Sequence, residues 1–343
     1  MSSEPLVSVI IPVLDAERVI GDSVASALGQ TYRNIEVIVV DNGSTDGTCA
    51  AVSLLAQQDA RVRLLDSGPT GVSHARNIGL ENANGRYVTF CDADDLMESS
   101  AVADLLAFVE STDMVAGGIA FDSIDENRNV LSTSIRRVDD PVSAQGEGLR
   151  GVFEYLWERN CLQSCCSKLY SLEFIKNSNV CFDEALSSYE DLVFNLDLLS
   201  HGARFTAVPE LCYRYLCVPT GTNWSKYRKD KTCQMEFVAE RVSKFYKETL
   251  RDPETAACMQ HIIQFLVIAV NNAQMTPGGW ESIKRAIADV FVRGVFLAAA
   301  AQASRYPNVY SRLLVRLGVS RHYRAVALLS MIRNAIRDRY VAR

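Results

Sequence analysis

Residues 86–97 read RYVTFCDADDLM, and the fold turns on how this stretch is read. Tyr87-Val88-Thr89-Phe90 has the β-branched and aromatic composition of a short buried strand, and it runs straight into Asp92, Asp94 and Asp95. Three carboxylates leaving one strand end repel one another unless a cation sits among them. The charge has a second use. Residues 96–110 have a helical pattern with Ser99 or Ser100 at the cap, and acidic residues ahead of a helix complement its dipole. Taken alone, the stretch leaves a metal site and an acidic helix cap both open.

Working outward toward the N-terminus, strand-like runs at residues 6–14, 35–40 and 62–65 alternate with helical patterns at 18–30, from about 46, and at 71–83. The runs Val9-Ile10-Ile11 and IEVIVV (35–40) are continuously apolar, as in parallel strands covered on both faces. With 86–90 as the fourth strand and short connections throughout, the pattern is that of a doubly wound, mostly parallel α/β sheet. Ligands of such sheets bind at the carboxyl ends of the strands, which here are residues 12–17, 41–46 and 92–95. Neither GxGxxG after the first strand nor GxxxxGK[ST] occurs, so the dinucleotide and phosphate-loop readings lose their fingerprints.

Beyond residue 110 the pattern changes. Residues 113–122 and 130–138 are strand-like, 147–159 look helical, and 166–170 form a short apolar turn leading to a helix from Ser171. In SSYEDLVFNLDLLSHG (187–202), Leu192, Val193, Leu196 and Leu199, flanked by Phe194, make a helical stripe, with Ser187 or Ser188 as cap and Gly202 as stop. Glu190 and Asp191 fall in its first turn, where dipole complementarity is reason enough for acids. Residues 203–217 are strand-like and TGTNW (220–224) is a loop. From Lys229 the chain is helical by period, with breaks at Pro253, Pro277-Gly278-Gly279 and Pro307.

A chain of 343 residues, 48% hydrophobic and 22% charged, accommodates one large domain with an appendage. Its start has no basic n-region, and Ser8 and Pro12 interrupt the apolar run, which reads as a first strand rather than a signal peptide. The longest apolar runs, 262–270 and 295–301, are about half of what a bilayer core requires, so a cytoplasmic protein is expected. The ten cysteines form no CxxC pair; Cys161 and Cys165-Cys166 are their one cluster, and they read as reduced thiols. Residues 305–343 hold nine arginines, no lysine and one acid, Asp338, for a charge of +8. That leaves −14 on the rest of a chain whose net charge is −6, a balance that argues against nucleic acid as the partner of the main body.

VSVIIPVLDAERVI (7–20), IEVIVVDNGSTDGT (35–48), GVSHARNIGLENANGRYVTFCDADD (71–95), CSKLYSLEFI (166–175) and YEDLVFNLDLL (189–199) together resemble the inverting family 2 glycosyltransferases. The likeness is to the bacterial branch that builds capsule, exopolysaccharide and lipopolysaccharide, and it runs from about residue 6 to 215. It implies a GT-A fold, a nucleotide-sugar donor, usually UDP-linked, and Mn2+ or Mg2+. On that layout 1–225 is the transferase domain, with a nucleotide half at about 1–110 and an acceptor half at about 111–225, and 226–343 is a helical region with an Arg-rich tail.

Carried over position by position, the resemblance sets Pro12 and Val13 against the nucleoside and Asp41-Asn42 at the uracil. There Asn42 would accept from the base through its amide oxygen, where the family more often has Asp. Leu14 and Asp15 stand where Tyr and Asn are usual. Arg76 corresponds to a basic residue near the nucleotide; the plain alternative is a helix-surface arginine. Asp92-Ala93-Asp94 matches the DxD motif, with Asp94 as metal ligand and Asp92 at the ribose or the metal shell. Asp95 is left to position the sugar or cap the helix. Asp191 matches the catalytic base, with Glu190 as the runner-up for that role and otherwise in support. His74 and His201 match no catalytic position and read as structural.

The chain has neither the QxxRW motif nor the membrane helices of processive members, so the expectation is transfer of one sugar to a glycan or lipid-linked acceptor. Trp224 is a candidate for stacking on a sugar ring. The competing readings are a sugar-nucleotide nucleotidyltransferase, which calls for a glycine-rich loop that 14–20 lacks, and a non-catalytic scaffold. The tail keeps an apolar stripe beside its arginines, which suits either a helix packed on the acidic body or peripheral contact with the inner face of a membrane.

Overall fold

The computed structural model describes residues 4–218, 227–252, 256–302 and 308–341. The chain forms two compact units that meet in sequence between Cys217 and Val218.

The first unit is built on a mixed sheet. Strands β1 (Val7–Val13), β2 (Ile35–Asp41), β3 (Val62–Asp66) and β4 (Tyr87–Phe90) alternate with helices α1 (Ile20–Leu28), α2 (Thr48–Gln58) and α3 (Val72–Asn82). They lie in the order β3-β2-β1-β4, and every neighbouring pair is parallel. All residues of β1, β2 and β4 are buried, as continuous apolar runs require. Close approach of α3 to β1 is possible because residue 79 is glycine: a Cβ there would lie 2.5 Å from Ile10 Cγ2.

After β4 come β5 (Leu96–Met97), α4 (Ala101–Leu106), β6 (Met114–Ile124), β7 (Val130–Arg136), β8 (Val142–Ala144), α5 (Phe153–Glu158), β9 (Lys168–Ser171), α6 (Leu172–Ser178), α7 (Glu190–Ser200) and β10 (Phe205–Cys217). The sheet continues β4-β9-β6-β10-β5, with β7 on β6 and β8 on β10. Strand β10 runs parallel to β6, while β9 is antiparallel to both β4 and β6.

Three local expectations are corrected. The helix expected over 96–110 begins only at Ala101, because residues 96–97 pair with β10 as an edge strand. Residues 168–170, read as part of a turn, join Ser171 in a strand that bridges β4 and β6, and Ser171 then caps α6 by accepting from Phe174 N. Helix α7 is preceded by Tyr189 in the left-handed region (φ 65°) rather than by a serine cap.

The second unit is helical: α8 (Lys231–Glu248), α9 (Ala256–Ala273), α10 (Trp280–Val292), α11 (Gly294–Ala301), α12 (Val309–Val319) and α13 (Tyr323–Val341). Helix α9 packs against α8, α10, α11 and α13. The expectation that no apolar run reaches membrane-spanning length is amended here. Its eighteen residues, mean hydropathy 1.3, are long and apolar enough to cross a bilayer, but 67% of them are buried within the unit, as in a core helix. Gly318 lets α12 lie against α10, since a Cβ there would fall within 2.0 Å of the Phe291 ring.

Candidate active site

The four parallel strands end at one edge, where their loops are held by side chains and leave little slack. Asp41 accepts from Gly43 N (3.1 Å) and Ser44 N (3.1 Å), and Asp15 accepts from Thr45 N (2.7 Å). Glu17 N and Ala16 N donate to Asp46 and Thr48, tying the β1 loop to the β2 loop. Pro12 and Val13 are buried at the end of β1, and Leu14 is 52% exposed beside them. Asn42 differs from expectation. Its amide oxygen accepts from Thr70 N (3.1 Å) and Gly71 N (2.8 Å), so the atom expected to meet a base instead fixes the turn that starts α3. The amide nitrogen is the donor left to it.

Helix α3 buries a polar face made of Ser73, Arg76 and Asn77. Ser73 Oγ donates to Leu186 O, and Asn77 exchanges bonds with the backbone of Phe182. His74 pairs with Glu184 at 3.0 Å. These contacts pin residues 182–186, and thereby the start of α7, against α3.

Arg76 is the centre of the arrangement. Only 3% exposed, it reaches Asp191 Oδ1 at 2.7 Å, Glu190 Oε1 at 3.0 Å and Asp92 Oδ1 at 3.0 Å. The helix-surface alternative is thereby excluded. Burial opposes its charge, yet Asp191, Asp92 and Glu190 hold it protonated well above the usual arginine range. Arg76 is the cation that the crowded carboxylates demand, and it joins the end of β4 to the first turn of α7. Burial, with Asp191 and Asp94 in support, nevertheless pushes Asp92 up; burial and Asp191 do the same to Glu190.

The three carboxylates after β4 have separate surroundings. Asp92 faces Arg76 and keeps 32% of its side chain exposed. Ala93 is buried, and Asp94 points outward, with its carbonyl receiving Arg128 Nη2 (3.2 Å) from the β6–β7 turn. Asp95 neither caps a helix nor faces the crevice. It is 1% exposed and accepts from Tyr213 Oη (2.8 Å) and Leu216 N (2.8 Å). Burial, then Asp92 and Asp94, push its carboxyl well above the usual range.

Asp191 is held on both oxygens, since Oδ2 accepts from Cys165 N at 3.0 Å. A carboxylate has about four lone-pair sites, so two remain to accept a proton. The loop carrying Cys165 is positioned by Asn195, one turn after Asp191 on α7. Its Nδ2 donates to Leu162 O (2.9 Å) and Ser164 O (3.0 Å), and its Oδ1 accepts from Tyr170 Oη (2.8 Å). Lys168, 1% exposed, also donates to Ser164 O. Burial lowers its ammonium pKa.

Several of these residues escape sequence reasoning. Asn195 lies four residues after Asp191, the helical spacing that shares a face, and this is the signal that could have found it. Tyr213 and Tyr215 alternate along β10 and so share a face. The first orders Asp92 N (3.0 Å) and Asp95, while the second, 38% exposed, has its ring 5.6 Å from that of Phe121. Cys165 N and Arg128 act through backbone or across a hairpin and leave no local signature. Trp224 lies outside the described residues.

Among the described residues no three His, Cys, Asp or Glu side chains converge as a metal cage. A cation of the Mg2+ type needs no such cage, since it takes one or two carboxylates and completes its shell with phosphate and water oxygens. Asp94 is exposed and Asp92 partly so, and these are the two carboxylates that could hold such a cation.

A profile described as Glycosyl transferase family 2 matches residues 8–168. An uncharacterized glycosyltransferase of Haemophilus influenzae is 33% identical over 199 residues, which are 57% of this chain and 72% of that protein. The uncharacterized glycosyltransferase EpsJ of Bacillus subtilis is 28% identical over 245 residues, 69% of each. Among solved structures, S. aureus TarS 1–349 in complex with UDP-GlcNAc superposes with TM-score 0.67 at 19% identity, over 96% of this chain and 91% of that one, a likeness of fold.

Proposed function

The chain belongs to glycosyl transferase family 2, and from that premise we propose that it moves a single sugar from a UDP-sugar to a glycan or lipid-linked acceptor, by direct displacement with inversion, in cell-surface polysaccharide synthesis. The observation that carries this reading is Arg76, bonded on one side to Asp92 after β4 and on the other to Asp191 and Glu190. It holds a donor-side and an acceptor-side carboxylate in one site despite their like charge. The UDP-GlcNAc bound by TarS, a protein of the same fold, supports the choice of a UDP-linked donor.

In this reading the loops after β1 and β2 seat the nucleoside, with Pro12, Val13 and Asp41 as its walls and the Asn42 amide nitrogen as the remaining donor. Asp94 would hold Mn2+ or Mg2+, with Asp92 alongside. When bound, the cation acts as a Lewis acid that stabilises the leaving diphosphate. Asp191 receives the proton of the acceptor hydroxyl as the new bond to the anomeric carbon forms and the bond to the diphosphate oxygen breaks. Glu190 shares the charge of Arg76 with Asp191. The half-exposed ring of Tyr215, supported by Phe121, offers an apolar face to a sugar on the acceptor side.

A thermal-shift scan of nucleotide sugars with and without Mn2+ tests the reading. A UDP-sugar present at a hundred times its Kd adds about 2.7 kcal/mol to stability, and that gain should require the metal. Stabilisation by none of the nucleotide sugars in either condition would overturn the proposal.

A further inference from the structure

Residues 308–333 hold five arginines and neither Asp nor Glu. On α12, Leu314, Val315 and Gly318 face inward, while Val309 (67% exposed), Leu313 (45%) and Arg316 follow one another at i, i+4 and i+7 on the outer face. On α13, Val326, Ala327 and Ser330 are buried, and Arg324, Leu328 (59%), Met331 (59%) and Ile332 (48%) repeat the same spacing outward. Arg321 and His322, in the turn between the helices, are exposed as well. Each helix therefore has a buried stripe that serves the unit and an opposite stripe of aliphatic side chains and arginines left to the outside.

Among the described residues, the charge on that outer stripe has no acidic partner. Ion pairs in this unit include Lys244–Glu248, Lys284–Glu281, Arg293–Asp289 and Arg293–Glu236, and among the described residues none involves Arg312, Arg316, Arg321, Arg324 or Arg333. The acids of α10, the helix packed against both α12 and α13, are thus committed to Lys284 and Arg293. Arg324 and Arg333 lie over the rings of Trp280 and Tyr310, at 5.4 and 4.7 Å, which leaves their charge in place.

We infer that the outer face of α12 and α13 is a docking surface for an anionic lipid bilayer. Aliphatic side chains among arginines, with no acid from residue 308 to 333, is the composition of an interfacial helix, whose apolar residues enter the headgroup boundary while the arginines meet lipid phosphates. Nucleic acid would use the arginines but gives Leu313, Leu328, Met331 and Ile332 no role. A second copy of the chain would use the aliphatics but sets arginine against arginine. The inference is independent of the sugar-transfer reading, although a membrane-held enzyme suits a lipid-linked acceptor.

Co-sedimentation of the full chain with vesicles tests it. The chain should sediment with phosphatidylglycerol-containing vesicles, weakly with phosphatidylcholine alone, and less as salt rises. Arg316→Glu with Arg321→Glu should weaken binding by about fivefold or more per arginine. Leu328→Ser with Met331→Ser should weaken it at every salt concentration. Both pairs are exposed, and an unchanged melting profile and donor-induced thermal shift would show the fold and the donor site intact. Equal sedimentation with and without anionic vesicles would overturn the inference. So would vesicle binding that neither double variant changes, or self-association abolished by the Leu328/Met331 pair in a chain that ignores vesicles.

Discussion

Asp191→Asn should lower kcat by about 10²–10⁴-fold, the usual loss for a general base, and leave the donor-induced thermal shift intact. The substitution keeps size and shape but removes the atom pair that accepts the proton. In the native protein Arg76 and the Cys165 N–H each donate to one oxygen of Asp191. Asparagine has one oxygen for two donors, so the variant also forfeits one hydrogen bond, a cost on the order of 1 kcal/mol that leaves the fold standing. Glu190 stays on Arg76 and keeps the guanidinium paired. Nucleotide release under saturating donor measures the loss, and turnover within a few fold of wild type would remove Asp191 from the role of base.

The second large effect is on stability. Arg76→Met should cost about 3–5 kcal/mol at neutral pH, because it takes the cation they share from three partly buried carboxylates. Methionine fills the same channel, so the cost is electrostatic and not a cavity. Its pH dependence has a definite sign. Burial and like charge already raise Asp92 and Glu190 in the folded protein, and removing Arg76 raises them further. A carboxyl raised in the folded state keeps its proton where the unfolded chain has lost it. Stability from such groups is therefore full below the ordinary carboxylate range and lost as pH rises through the raised folded values. Urea denaturation should accordingly find the variant's deficit shrinking as pH falls. A deficit that is independent of pH would mean that packing, and not charge, is what Arg76 provides.

How much of this was legible in the sequence depends on the range of the contact. The β-α alternation over the first ninety or so residues was readable because each strand is a continuous apolar run and each connection is short. Residues 168–171 were missed as a strand because four residues show no period, and their place is set by partners on β4 and β6. The break between α10 and α11 contains no proline, so a reading keyed to proline passed over it. At the site, the repulsion argument called for a cation among the acids after β4. Arg76 answers it for Asp92, while Tyr213 Oη and Leu216 N satisfy Asp95. Which partner serves which carboxylate depends on contacts spanning more than a hundred residues, as with Arg76 and Asp191 or Tyr213 and Asp95. Local periodicity carries no information at that distance.

The central claim is that one base, Asp191, and one displacement perform the transfer. The anomeric configuration of the transferred sugar tests it most directly. With an α-linked UDP-sugar of gluco configuration as donor, proton NMR of the product should show the large H1–H2 coupling of a β-linkage. An α-linked product would mean retention, and would contradict a single displacement.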